Sequence, residues 1–428
     1  MSRDGPVPVV APGAAAPAGG DAAAEVVSLY QKQNKIYARA VSGWFAGWRW
    51  ALVWATQLVF YGLPWLEWNA RQAVLFDLGA RRFYIFGLVL YPQDFIYLTG
   101  LLVISALSLF LFTAVAGRLW CGYACPQTVY LEFLFRPIES WLEGGPLRQK
   151  KLNAAPVDAR KAAIKVGKWA FWTVAALLMA TTFVSYFTGV RPLVTGLATE
   201  PLAWTGAIFT ILFVGGAILF DFGWFRDQMC TIACPYGRLQ NVIADQDTIL
   251  VAYDEKRGEP RRKIRDRGAG VIAGDCIECR ACVNACPTGT DIKRGLQPEC
   301  IGTAQCIDAC DEVMRGLGKP IGLIKYTSER EQKGGVRRVW RPRTFAYLAL
   351  MTVAWGTFAV LVLTRGDSLV EIVRGGREPY HLLPTGEGAN QQRVRITNQL
   401  DETQRFTVEV AAPAEARLVV SDSPITID

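Results

Sequence analysis

Long uncharged apolar runs divide this chain, and their lengths decide its architecture. Asp94 to Gly117 and Arg343 to Thr364 bracket apolar stretches of about 20 residues, which at about 1.5 Å per helical residue cross the hydrocarbon core of a bilayer. Val166 to Val190 and Leu202 to Phe220 are nearly as apolar, and Ala51 to Leu66 is a weaker run interrupted by Gln57 and Pro64. The pattern predicts five membrane-spanning helices. After the last run the period changes: Val394, Ile396, Phe406, Val408 and Val410 alternate with polar residues, with Asn398 to Thr403 as a turn, so Arg393 to Val420 reads as β-strands.

Composition agrees, since 51% of the 428 residues are hydrophobic and the mean hydropathy is above zero. Charge then orients the spans. Arg118, Arg136, Arg148, Lys150, Lys151, Arg160, Lys161 and Lys165, and later Arg257 to Arg267, carry most of the positive charge, so these segments are expected on the cytoplasmic side. Five spans then leave the amino terminus inside and the carboxyl terminus outside. Arg81 and Arg82, in the first outer loop, run against that rule. Topology alone accounts for the basic loops and the net charge of +8, with no call for nucleic acid.

The expected divisions follow. Residues 1–42 are a disordered cytoplasmic tail, whose first 25 residues are rich in Ala, Gly and Pro and lack the layout of a signal peptide. Residues 43–245 hold two membrane hairpins, each ending in the same kind of motif. Residues 246–341 are a cytoplasmic insert, 342–364 the fifth span and 365–428 an outer β-segment.

Cysteine supplies the chemistry. All eleven cysteines lie between Cys121 and Cys310, on what this topology makes the reducing side, where metal ligation is a better account than disulfides. Cys276, Cys279, Cys282 and Cys286, followed by Pro287, form the C-x2-C-x2-C-x3-C-P run that binds [4Fe–4S] clusters in ferredoxins, which points to electron transfer. Zinc sites instead split two close pairs by a longer spacer. A second run, Cys300, Cys306 and Cys310, would be complete if Thr303 were cysteine. Because the fourth cysteine of each run serves the other cluster, Cys276, Cys279, Cys282 and Cys310 form one set, and Cys286, Cys300 and Cys306 form another with one corner unfilled. The second set could hold [3Fe–4S], or [4Fe–4S] with water, Thr303 or another residue on the fourth iron; alternatively its cysteines are buried bystanders.

Trp120-Cys121-Gly-Tyr-Ala-Cys125-Pro126 and Met229-Cys230-Thr-Ile-Ala-Cys234-Pro235 are the paired membrane motifs. If helical, each offers two sulfurs on one face at the end of a span. Four such thiolates, with the Met229 thioether, suit Cu(I), though also iron–sulfur clusters and zinc, and free cysteine is often mere core. His381 is the only histidine, which excludes bis-histidine haem and copper sites of several imidazoles.

Together, Trp120 to Thr128, Gln228 to Tyr236, Cys276 to Pro287 and the stretch from Glu299 resemble the cytochrome c oxidase accessory family called CcoG or FixG, over about Leu75 to Met314. The resemblance implies a multi-pass α-helical protein of the bacterial inner membrane with five spans, a two-cluster ferredoxin-like α+β insert and an outer immunoglobulin-like domain. It implies assembly of cbb3-type oxidase by cupric reductase activity, Cu(II) to Cu(I), at Cys121, Cys125, Cys230 and Cys234. Its partners would be oxidase subunits, copper-delivery proteins and a cytoplasmic electron donor. Two departures stand out: only 64 residues follow Thr364, against about 100 for a full sandwich of that kind, and Thr303 replaces a cysteine. Two rival readings are a general, quinol-linked electron conduit and a non-enzymatic scaffold.

Overall fold

Apolar helices form where the runs predict, and their outward faces are the apolar ones. The structure, a computed structural model, describes residues 35–428 except 264–272, 296, 367, 377–379, 385, 399–402, 411–416, 421–423 and 428, so nearly all of the expected tail lies outside the described residues. Its end, Tyr37 to Ser42, is neither helix nor strand, and the Arg39 amide donates to the Asn284 carbonyl at 2.7 Å. Among the described residues four helices are long and apolar enough to cross a membrane: α2 (Phe95–Ala116), α3 (Ala159–Thr188), α4 (Thr205–Leu219, continued by a wider turn to Phe225) and α5 (Pro342–Leu363). Helix α2 packs along α5, and α3 along α4. On α2 only Ile104, Thr113 and Ala114 are buried, while Phe95, Ile96 and Leu102 stand exposed. Water would penalise such a surface, whereas hydrocarbon does not.

The weakest expected span differs. Helix α1 covers Trp44–Gly62, begins seven residues before Ala51 and stops short of Pro64, and it falls below the apolarity of the other four. The reason is its inward face. Ala46, Arg49, Val53 and Gln57, spaced three or four apart, are buried, while Trp44, Trp48, Trp54 and Leu58 point outward. Helix α3 also starts seven residues early, because Asp158 caps it by accepting from the Lys161 amide and a basic stub precedes the apolar run. That stub is paired: Lys165 and Lys168 lie 2.7 and 2.8 Å from Glu143. Between α1 and α2, strands β1 (Val74–Asp77), β2 (Arg82–Ile85) and β3 (Leu88–Leu90) form an antiparallel sheet, with Arg81 and Arg82 exposed at its first turn.

The insert docks on one end of the spans. Antiparallel strands β4 (Leu250–Tyr253) and β5 (Ile324–Thr327) close it over a core of Val251, Ile292, Ile307, Met314 and Ile324 together with Cys276, Cys282 and Cys310. Helix α2 leaves its last carbonyls without partners in the helix, and the insert supplies them. The Thr248 hydroxyl donates to Ala114 O at 3.0 Å, and Ile249 N and Arg337 Nη2 donate to Val115 O at 3.2 and 3.1 Å.

Opposite the insert, Arg365 pairs with Asp94 at 2.8 Å, and the Tyr91 hydroxyl donates to the Asn398 carbonyl at 2.7 Å. The expected turn at Asn398 to Thr403 falls mostly on 399–402, outside the described residues. On either side of it, β7 (Gln392–Asn398) pairs with β6 (Ser368–Arg374), and β8 (Gln404–Phe406) pairs with β9 (Ile425–Ile427). Val370 and Ile372 of β6 face Ile396 and Val394, apolar cross-strand partners for β7. Val408 and Val410 lie outside any strand, and the ladders among the described C-terminal residues are two-stranded.

Candidate metal centres

Two loops of the insert repeat one backbone shape. In the loop from Cys276, Glu278 and Arg280 have φ of 52° and 59°; in the loop from Cys300, Gly302 and Ala304 have φ of 68° and 58°. Each loop then enters a helix, Ala281–Ala285 or Gln305–Gly316, and the two helices pack together. Left-handed backbone at non-glycine residues is strained, and such strain persists where a site requires it. By this correspondence Thr303 stands where Cys279 stands in the first loop, so the cluster-wrapping shape survives the changed residue. Thr303 itself is buried.

The insert's thiols lie near one another in two groups. The thiol of Cys310 lies in the electrostatic reach of Cys282, Cys279 and Cys276, and burial pushes its pKa up to about 12. The same four cysteines line one cavity with Tyr253 and Ile324. Cys306, also raised by burial, feels Cys300 and Cys286, and then Cys282 of the first set. Backbone amides point at several of these sulfurs: Thr290 N donates to Cys286 Sγ at 3.3 Å, and Gly302 N bonds Cys300. Buried thiols, amides aimed at sulfur and strained loops together fit iron–sulfur clusters held by Cys276, Cys279, Cys282 and Cys310, and by Cys286, Cys300 and Cys306. Cys279 is exposed to solvent, so the first set opens to the surface.

The membrane motifs depart from the helical expectation. Cys121 sits in the short helix Leu119–Tyr123, but Cys125 is extended, with φ −62° and ψ 127°, and precedes a new helix at Pro126–Tyr130. Cys230 lies in the turn Met229–Ala233, and Cys234, with φ −68° and ψ 113°, precedes the helix Pro235–Ile243. Proline disfavours the helical conformation in the residue before it, and Cys125 and Cys234 are both extended, so each motif is a helix break with one cysteine before it and one at it. The sulfur of Cys125 accepts from the amides of Gln127 and Thr128 at the start of its helix.

The two breaks interlock. Cys230 feels Cys125, Cys121 and Cys234, and burial pushes it up to about 12; Cys121 is pushed up to about 11, against a hydrogen bond from Gln240 Nε2 to its sulfur at 3.4 Å. Arg118 reaches from one motif to the Gly237 carbonyl of the other. All four thiols therefore form one group. Among the described residues no three Cys, His, Asp or Glu side chains converge on a single ion-sized point, so the thiols meet as wider groups. None of the eleven cysteines is in a disulfide. His381 lies exposed in the strand His381–Leu382 of the C-terminal segment.

The thiol group of the membrane motifs abuts the second cysteine set of the insert. A Cβ at Gly122 would lie 2.9 Å from the carbonyl of Gly302 and the Cα of Thr303, so only glycine allows this approach. Arg118 also donates to the Pro298 and Cys300 carbonyls. Arg136 ties the remaining pieces: it pairs with Glu132, lies 2.9 Å from Asp227 three residues before Cys230, and donates at 2.9 Å to the carbonyl of Pro287. Glu132 in turn accepts from Gln305 beside Cys306 at 3.2 Å. Gln240, Arg136 and Gly122 were not singled out by motif; their roles arise from contacts between segments about 90 to 180 residues apart.

Comparison with known proteins bears on these groups. A family model described as a 4Fe-4S dicluster domain matches residues 225–329, and one described as a 4Fe-4S binding domain matches residues 98–154, where Cys121 and Cys125 are the cysteines. Protein RdxB of Cereibacter sphaeroides is 38% identical over 421 residues, covering 94% of this chain and 87% of its own. RdxA of the same organism is 37% identical over 413 residues, covering 92% and 86%. Nitrogen fixation protein FixG of Rhizobium meliloti is 33% identical over 439 residues, covering 92% and 82%. No solved structure matches.

Proposed function

The chain belongs to the CcoG/FixG family and is a membrane-bound iron–sulfur electron-transfer protein, and from that premise we propose that it reduces Cu(II) to Cu(I) during assembly of cbb3-type cytochrome c oxidase. The observation that carries this is the gathering of Cys121, Cys125, Cys230 and Cys234 into one group against the insert's second cysteine set. Copper is the substrate: Cu(II) gains one electron there, and thiolates, as soft ligands, hold the Cu(I) product and favour the reduced ion.

Iron–sulfur clusters on the insert's cysteines supply one-electron transfer. The rest is positional. Cys279 leaves the first set open to a cytoplasmic donor, and Gly122 permits a close approach between insert and membrane motifs. At the second set, three thiolates and Thr303 suit [3Fe–4S] or a [4Fe–4S] with a non-thiolate corner.

Inner-membrane location with five spans is part of the reading. It is supported by α1, whose exposed side is apolar although Arg49 and Gln57 on its buried side keep it out of the most apolar helices. The amino terminus and insert are then cytoplasmic, and the C-terminal strands form a periplasmic, incomplete immunoglobulin-like unit facing oxidase subunits and copper-delivery proteins. The test is the pair Cys230→Ala with Cys234→Ala in the anaerobically purified full chain. The insert's cluster spectrum should persist and Cu(II) reduction by the pre-reduced protein should fall at least 100-fold; unchanged reduction rejects this site.

A further inference from the structure

A groove of about 550 Å³ opens between α1 and the insert end of α2, separate from every cysteine side chain. Trp48 and Leu52 of α1, Phe112 of α2, and Trp120, Tyr123 and Tyr326 line it. Its size is that of a small-molecule site, and its walls are carbon apart from indole N–H groups and two phenol hydroxyls. Trp48 and Leu52 are 55% and 39% exposed on the apolar outer side of α1, so the groove's mouth faces where lipid would be.

The inner end is different. Tyr326 donates its hydroxyl proton to the Gly302 carbonyl at 2.7 Å, in the loop between Cys300 and Cys306, and its ring is held edge-on by Phe45 at 5.3 Å. The Tyr123 oxygen lies 3.4 Å from that of Tyr326. Tyr326 has one proton and spends it on Gly302, so the Tyr123 proton has this long contact to the Tyr326 oxygen, a poorer bond than a carbonyl inside the groove would offer. Trp120 and Tyr123 flank Cys121 in the chain, and Tyr326 bonds the loop between Cys300 and Cys306, so this end lies beside both thiol groups although no cysteine lines it.

We propose that this groove binds the ring of an isoprenoid quinone. The fit is chemical. A quinone ring is flat and stacks on indole and phenyl faces, its carbonyl accepts a phenol proton, and its apolar tail leaves through a mouth open to the bilayer. An acyl chain would use the walls but neither hydroxyl. The proposal rests on the electron-transfer reading of the cysteine groups and names a membrane-soluble redox partner for it.

The test uses the full chain in nanodiscs and a photoreactive azido-ubiquinone analogue with a decyl tail, mapped by mass spectrometry. Labelling should saturate in the peptides holding Trp44 to Leu52 and Leu119 to Ala124, and excess decylubiquinone should abolish it. Leu52→Trp, which fills the groove, should cut labelling at least tenfold. Tyr123→Phe should raise the decylubiquinone concentration for half-competition about tenfold. Labelling that ignores Leu52→Trp, or that palmitate displaces as well as decylubiquinone does, overturns the proposal; the second outcome means acyl chains only. Cu(II) reduction by dithionite-reduced wild type and Leu52→Trp is measured in parallel. If labelling fails while reduction persists, only the quinone site is lost.

Discussion

Thr303 is the residue whose chemistry is most open to test. It occupies the corner that Cys279 fills in the sister loop, within a backbone already shaped for a cluster. Thr303→Cys adds a thiolate and its negative charge, so the midpoint potential of the second cluster should fall, by on the order of 100 mV within the range open to such clusters. Redox titration followed by EPR reads this, and an unmoved potential would mean that residue 303 is no corner of the site. The thiols also set a pH dependence. Burial raises Cys121, Cys282 and Cys300 to about 11 and Cys230 to about 12 in the folded chain, above the ordinary value of 9.0. A raised folded pKa stabilises below the unfolded value and loses that contribution as pH climbs through the folded one. Cluster-free protein should therefore lose stability between about pH 9 and pH 12, beyond any loss in the reconstituted protein, whose ligating thiols no longer titrate. Urea midpoints at both ends of that window, with and without reconstitution, make the comparison.

Between elements, two contacts decide whether the insert stays on the membrane motifs. Arg136→Ala strips a buried guanidinium from Glu132 and Asp227 and frees the Pro287 carbonyl; breaking buried pairs of this kind costs about 3–5 kcal/mol. Gly122→Ala forces a methyl against backbone that cannot yield, costing about 1–3 kcal/mol and widening the gap between the insert and Cys121. Denaturation midpoints should fall for both, and Cu(II) reduction by pre-reduced Gly122→Ala should slow; full activity in that variant would mean the close approach is incidental. What the sequence disclosed divides along the same lines. The four most apolar helices and both cysteine sets of the insert were legible, because each is written in consecutive residues with a fixed period or spacing. Helix α1 was misjudged in extent because Arg49 and Gln57 face inward and lower its average. The membrane motifs looked like single helices, yet Pro126 and Pro235 act on the residue before them and split each in two. The pairing of β7 with β6 was hidden because nothing local records which distant strand offers better partners.

For the whole molecule, the arrangement is polar from end to end. The cysteines of the membrane motifs and of the insert's second set collect where the insert meets the spans, and the far end is held through Asp94, Tyr91 and Arg365. With the insert cytoplasmic, alkaline phosphatase fused after Asp428 should be active and a fusion after Arg261 inactive; the reverse pattern would turn the protein over and leave its thiols on the oxidising side. Everything else depends on whether the cysteines hold iron and sulfide at all. The most direct measurement is the iron and acid-labile sulfide content of the full chain purified without oxygen. Two clusters on the insert should give about seven to eight irons per chain with matching sulfide. Material free of both, yet folded, would contradict the account.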